Sequence, residues 1–268
     1  MEPSSAPETP QPEPGTRRPA ALELANGAAL FTFAFLLFFL AQIVIMGLTI
    51  RSGTPELQEM AWGDMLAHDR FADRWTELST NGDMIARVSL GSGAVALLGL
   101  LGMVFWWKRG ETVRFLGLRP PDGKPLLAWC GLFVVAFAVL EGVAHLLPVG
   151  DSTFMEKVNA SITGLPFFLI GAALMPALFE EILFRGLLFG ALRSVLDKHS
   201  AIAITAGLFT FSHPQYEWYI LLLQVLPLGI FLGYARANTG STWTGVLLHF
   251  VNNAASVLLP LLLNNPTN

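Results

Sequence analysis

Charge is what this sequence lacks most. Of 268 residues only 13% are Asp, Glu, Lys or Arg, where a soluble globular domain carries about 25%. The deficit excludes an ordinary water-facing surface and puts the chain in the membrane class. The formal net charge is −4, so no basic field argues for nucleic acid. A single cysteine, Cys130, excludes an internal disulfide and a cysteine-built metal site. It lies in an apolar run and reads as a small packing residue. No His-Glu-x-x-His occurs, so a helix-borne zinc protease signature is missing. No convincing internal repeat is present either.

What is there is apolar length. Hydrophobic residues make up 53% of the chain, and runs near the ~20 residues of a membrane span recur. We expect an all-α, polytopic transmembrane helix bundle of about seven spans, at 27–50, 88–107, 126–147, 165–195, 200–213, 218–236 and 242–263. The fourth is long and contains Pro176; the fifth is short. Residues 1–22 are rich in Pro, Ser and Glu, and are expected to be a disordered tail. Their acidic start is unlike a signal peptide. Residues 264–268 are expected to form a C-terminal tail.

Loop charges predict an orientation. The loop 108–124, "KRGETVRFLGLRPPDGK", carries Lys108, Arg109, Arg114, Arg119 and Lys124, which predicts a cytoplasmic position. Arg17, Arg18, Arg193, Lys198 and Arg236 fall on the same side, so the N-terminus is expected in the cytoplasm and the protein in the cell membrane. The 51–87 loop is then outside. Its Trp62, Leu66, Phe71, Trp75 and Leu78 recur at helical spacing, which fits a helix lying at the interface or one packed on the bundle. "GLLFG" (186–190) and "GIFLG" (229–233) are small-xxx-small patterns that let helices approach closely.

Against this background the stretch "FEEILFRG" (179–186) stands out. On a helix Glu181 and Arg185 are four apart, acid first, and can neutralise each other. Glu180 is turned by about 100° from Glu181, so it is left for another partner. Charge inside a membrane costs at least ~2.5–3.5 kcal/mol and marks a candidate functional site. Polar groups on two other segments lie at the same depth. Glu180 is about 20 Å along its helix from Arg193, His213 about 22 Å from Lys198, and Asn253 about 20 Å from Gly240, with His249 one turn nearer that end. An acid, two imidazoles and an amide in one layer predict a shared site. Pro176 removes a backbone hydrogen bond and frees the Ala172 carbonyl, which then needs a polar neighbour. His68, His145 and His199 lie near span ends or in the outer loop and read as interfacial.

These residues carry a resemblance. The sequence resembles the CPBP intramembrane proteases, which include the type II CaaX prenyl proteases and bacterial proteins linked to bacteriocin immunity. The family's Glu-Glu-x-x-x-Arg is matched by Glu180, Glu181 and Arg185, its Phe-x-x-x-His by Phe209 and His213, and its His-x-x-x-Asn by His249 and Asn253. "FLGLR" (115–119) is similar to a loop the family often has. The resemblance implies a catalytic core over 161–263, preceded by N-terminal spans and the outer amphipathic loop over 23–160. It also implies a conical polar cavity within the membrane and peptide-bond hydrolysis there. On this reading Glu180 and His213 activate a water, and His249 and Asn253 donate to the oxyanion. Glu181 and Arg185 support the helix, and Phe209 contacts substrate. No cofactor is favoured. Zinc is the alternative, with Glu180, His213 and His249 as its ligands.

The partners expected are membrane lipid and a membrane-associated or lipidated protein substrate, with no nucleic acid. Two other classes compete. A membrane binding or immunity protein could hold a hydrophobic partner in the same cavity without cleaving it. A proton-coupled transporter could use Glu and His as a relay, but the sequence shows no inverted repeat or paired broken helices.

Overall fold

The start and end of each helix follow from local chemistry. Asp197 caps one helix by accepting from the backbone N–H of His199 and Ser200 at 2.8 and 3.1 Å, and Asn81 caps another through Met84 at 2.9 Å. Gly240, with φ of +68°, ends a third in the left-handed region. The computed structural model describes residues 19–146 and 152–263. In chain order the helices are α1 (Ala20–Gly53), α2 (Pro55–Gln58), α3 (Trp62–Leu66), α4 (Asp69–Leu78), α5 (Gly82–Lys108), α6 (Thr112–Phe115) and α7 (Gly123–Leu146). They continue with α8 (Thr153–Ala160), α9 (Leu165–Leu192), α10 (Lys198–Phe211), α11 (Trp218–Thr239) and α12 (Thr242–Leu263). No strand occurs among the described residues.

This is a multi-pass, all-α membrane protein. Six helices (α1, α5 with its extension to Phe115, α7, α9, α11 and α12) are long and apolar enough to cross a membrane. The expected span at 200–213 is the helix α10, whose 14 residues reach only ~21 Å. It sits inside the bundle, with Ala201, Ile202, Ala206 and Phe209 buried. The first helix starts at Ala20, so residues 20–22 are helical and not part of a disordered tail. Pro19, with φ of −51°, and the two alanines after it suit a helix start. The rest of that expected tail, and residues 264–268, lie outside the described residues.

The long helix α9 occupies the centre. Half of its apolar window is buried, against 6% for α7, which is covered mostly by what surrounds the bundle. The α9 helix touches α1, α5 and α12, and it widens to π-type turns at 169–174 and 181–188. Such turns add a residue per loop of backbone and re-aim side chains. Both small-xxx-small patterns are used. Gly186 and Gly190 admit Leu116 and Phe115, while Gly229 and Gly233 admit Ala206 and Ile202 of α10.

The 51–87 loop folds as three short helices packed on the bundle. Leu57, Met65 and Phe71 are buried against Met46, Ile50, Met84 and Val88, while Trp62 and Leu66 stay exposed. The five residues read as one apolar face therefore split between bundle and surroundings.

One connection fixes α12. Four successive carbonyls of the "FLGLR" loop accept from its first residues. Thr242 Oγ1 donates to Leu116 at 2.5 Å, Trp243 Nε1 to Leu118 at 2.9 Å and Ser241 Oγ to Arg119 at 2.7 Å. The Thr242 N–H donates to Gly117 at 2.8 Å. Gly117 has φ of +65°, a backbone conformation that favours glycine.

Candidate active site

The polar groups of α9, α10 and α12 come together as two adjoining clusters around one phenylalanine. In the first, Arg185 Nη1 donates to Glu181 Oε1 at 2.7 Å, as the i,i+4 spacing predicts. Arg185 Nη2 reaches the Gly229 carbonyl of α11 at 2.9 Å. Neither side chain of the pair has any exposed surface, so each is the other's compensation for burial. The sequence reading stops there, but the structure adds a third member. His249 Nδ1 lies 3.2 Å from the same Oε1 and is 97% buried. The other carboxylate oxygen, Oε2, rests against Gly245, where a Cβ would collide with it. Gly245 lies one turn before His249, and that spacing was the available hint that α12 makes room for a carboxylate.

The second cluster pairs Glu180 with His213. Glu180 Oε2 lies 3.7 Å from His213 Nε2, too far for a direct hydrogen bond. That oxygen is buried with no hydrogen-bond partner among the described residues. His213 Nδ1 is committed, donating to the Phe209 carbonyl at 2.7 Å. In the neutral ring this leaves Nε2 as an acceptor. Two acceptors then face each other across a gap that one water, about 2.8 Å from each, would span by donating to both.

Phe209 joins the clusters. Its ring lies 4.7 Å from the imidazole of His213, 5.5 Å from that of His249 and 4.4 Å below the Arg185 guanidinium. It is 1% exposed. Expected as a substrate contact, Phe209 here separates the two clusters, with three polar side chains around its ring.

Asn253 sits one turn beyond His249, half-buried. Its Nδ2 is 3.4 Å from the Ala173 carbonyl, and its Oδ1 accepts weakly from Asn252 at 3.5 Å. The backbone group before Pro176 that gains a polar neighbour is therefore Ala173, next to the expected Ala172. The structure does not bring Asn253 into hydrogen-bond contact with Glu180 or either histidine among the described residues.

Beside Glu180 lies a hollow of about 30 Å³, room for a water or two. Phe35, Phe38 and Phe39 of α1 line it together with Phe179, Phe184 and Ser212. Phenylalanines of α1 thus wall this hollow beside α9.

The set proposed for zinc does not assemble as a ligand group. No cluster of three or more His, Cys, Asp or Glu fit to hold a metal occurs among the described residues. His249 Nδ1 lies 3.2 Å from Glu181 Oε1, so that ring is held by Glu181. The other histidines do other work: His68 Nδ1 accepts from the Arg70 N–H at 3.1 Å, and His199 Nδ1 meets Tyr234 Oη at 2.7 Å. The side chain of His145 lies outside the described residues.

Three motifs in order, and their packing into one buried neighbourhood, give the comparisons their meaning. Residues 162–255 match the family described as type II CAAX prenyl endopeptidase Rce1-like. The matched segment contains every residue of both clusters, and it is the stretch that carries the resemblance read from the motifs. A protein of Escherichia coli named "Uncharacterized 24.3 kDa protein" is 31% identical over 131 residues, 47% of this chain and 59% of that protein. The "Putative membrane peptidase YdiL" of Bacillus subtilis (strain 168) is 25% identical over 158 residues, 56% of this chain and 62% of that one. The chain spans about three-fifths of the length of these curated relatives. No solved structure matches.

Proposed function

We propose that this protein is an intramembrane endopeptidase that hydrolyses a peptide bond of a membrane-associated or lipidated protein. The observation that carries the reading is the pairing of Glu180 Oε2, buried without a hydrogen-bond partner, with His213 Nε2 at 3.7 Å. A water held between them loses a proton to Glu180 as its oxygen attacks the scissile carbonyl carbon. The carbonyl oxygen becomes an oxyanion. As the tetrahedral intermediate collapses, the C–N bond breaks and the proton passes to the departing amine. The products are a carboxylate and an amine, and no step uses a metal.

His249 is the reading's oxyanion donor. Its Nδ1 is engaged by Glu181, so Nε2 donates only when both ring nitrogens carry protons. Glu181 therefore positions His249 as well as holding Arg185. Asn253, one turn on, is the second donor of the proposal; its long 3.4 Å contact with Ala173 is weak enough to exchange for a substrate oxygen. Each such donor supplies about 2.7–4 kcal/mol of transition-state stabilisation. The orientation from loop charges puts the N-terminus in the cytoplasm of a cell-membrane protein.

The test uses purified protein in detergent with lipidated and unmodified apolar peptides, read by mass spectrometry. At least one peptide is cleaved by the wild type, and Glu180→Gln cleaves none while keeping the same thermal transition. Wild-type cleavage by Glu180→Gln would end this reading. Specific retention of a lipidated peptide without cleavage, by wild type and variant alike, would favour the binding or immunity role.

A further inference from the structure

The matched segment 162–255 provides the polar groups, but the wall that faces Glu180 comes from outside it. Phe35, Phe38 and Phe39 belong to α1, and together with Glu180 they line one hollow. Phe38 stacks on Phe179, the residue before Glu180, at 4.8 Å and 20°. Phe39 packs edge-on to Phe35 and Phe38 of its own helix, at 4.8 and 5.6 Å. It is 38% exposed, so the hollow's outer rim reaches the surface of the bundle. On the far side Ser212, next to His213, closes it.

A carbonyl attacked by a water held between Glu180 and His213 must come within about 3–3.5 Å of that water. A side chain on the residue flanking the scissile bond then falls within reach of the hollow. The hollow is apolar, and its about 30 Å³ accepts little beyond a water or two unless a ring moves. Phe38 is pinned between helices. Phe39 can swing outward, since its ring neighbours named above lie on its own helix.

We propose that Phe35, Phe38 and Phe39 form a selectivity wall, which admits a small apolar residue beside the scissile bond and rejects a bulky one. The inference rests on the endopeptidase reading and deepens it: α1 sets which membrane-embedded sequence is cut. Phe38 is the size limit and Phe39 the movable rim.

The test uses the full chain in detergent and a pool of synthetic apolar peptides of about 20 residues, flanked by lysines and randomised at four central positions. Cut sites are read from the fragments. Wild type cuts beside Gly or Ala. Phe38→Ala and Phe35→Ala raise the share of cuts beside Leu and Phe by about tenfold, the discrimination a hydrophobic pocket provides. Leu40→Ala, on the exposed face of the same helix, leaves the profile unchanged. Phe38→Leu repeats the shift in smaller measure if Phe38→Ala fails to fold. An unchanged profile in folded Phe38 variants overturns the wall while leaving the endopeptidase reading intact. Absence of any cut by wild type overturns that reading, and the wall with it.

Discussion

Glu181 Oε1 is shared: it accepts from Arg185 Nη1 at 2.7 Å and lies 3.2 Å from His249 Nδ1. One oxygen of α9 thus ties a guanidinium one turn away to an imidazole 68 residues further along the chain. An ion pair that looks purely structural in the sequence is joined to a candidate catalytic side chain.

The first prediction follows from that link. Glu181→Gln keeps the shape and removes the charge. Activity per folded molecule should fall by about 10²-fold, the scale of losing one oxyanion donor, with KM little changed. A pair that only staples the helix would lower the thermal transition and leave kcat alone. Steady-state kinetics on the folded fraction decides between them.

Arg185→Ala acts differently. It strands a carboxylate that has no exposed surface, at a cost of about 3–5 kcal/mol. Low yield and a much reduced Tm in detergent are expected. Normal stability with wild-type activity would show that Glu181 does not depend on this partner.

The clamp on α12 gives a third prediction. Thr242 is fully buried, and its hydroxyl donates to the Leu116 carbonyl. Thr242→Val keeps the volume and deletes the donor, costing about 0.5–1.5 kcal/mol plus the penalty of an unsatisfied carbonyl. Tm should drop, and Thr242→Ser should restore most of the loss.

Asp197, in the connection before α10, supplies a pH dependence. The Ser200 hydroxyl and the capped N–H groups hold its carboxyl down to about 2, below the usual ~3.9. A depressed carboxylate adds stability that is fully present above its unfolded value and lost as pH falls through the folded one. The Tm difference between wild type and Asp197→Ala should therefore be constant from neutral pH to about 5 and shrink between ~4 and ~2. A difference that stays flat down to pH ~2 would refute it.

The metal-free route makes a fifth. Prolonged incubation with a strong chelator, then zinc add-back, should leave cleavage unchanged at both steps. Loss on chelation with recovery on zinc would restore Glu180, His213 and His249 as a ligand set and require them to rearrange.

The chain disclosed its site better than its surroundings. Glu181–Arg185 was legible because helical spacing fixes i,i+4 neighbours, and Glu180 with His213 because depth can be counted along helices. The tie from His249 to Glu181 was not, since rotation of α12 about its axis depends on the "FLGLR" carbonyls more than 120 residues away. The burial of Phe209 was not legible for a related reason: a motif gives the residue, while its surroundings are set by three helices at once. The expected fifth span is short because the apolar run and the helix α10 stop together at Phe211, with Ser212, His213 and Pro214 following. The phenylalanines of α1 carried no polar signal at all.

The grip of residues 116–119 on Ser241, Thr242 and Trp243 also bears on biosynthesis. The ribosome makes that loop long before the helix it will hold. Glu180 and His213 are likewise made before the segment bearing His249. The cluster around Glu181 is therefore completed only after the segment bearing His249 has been made.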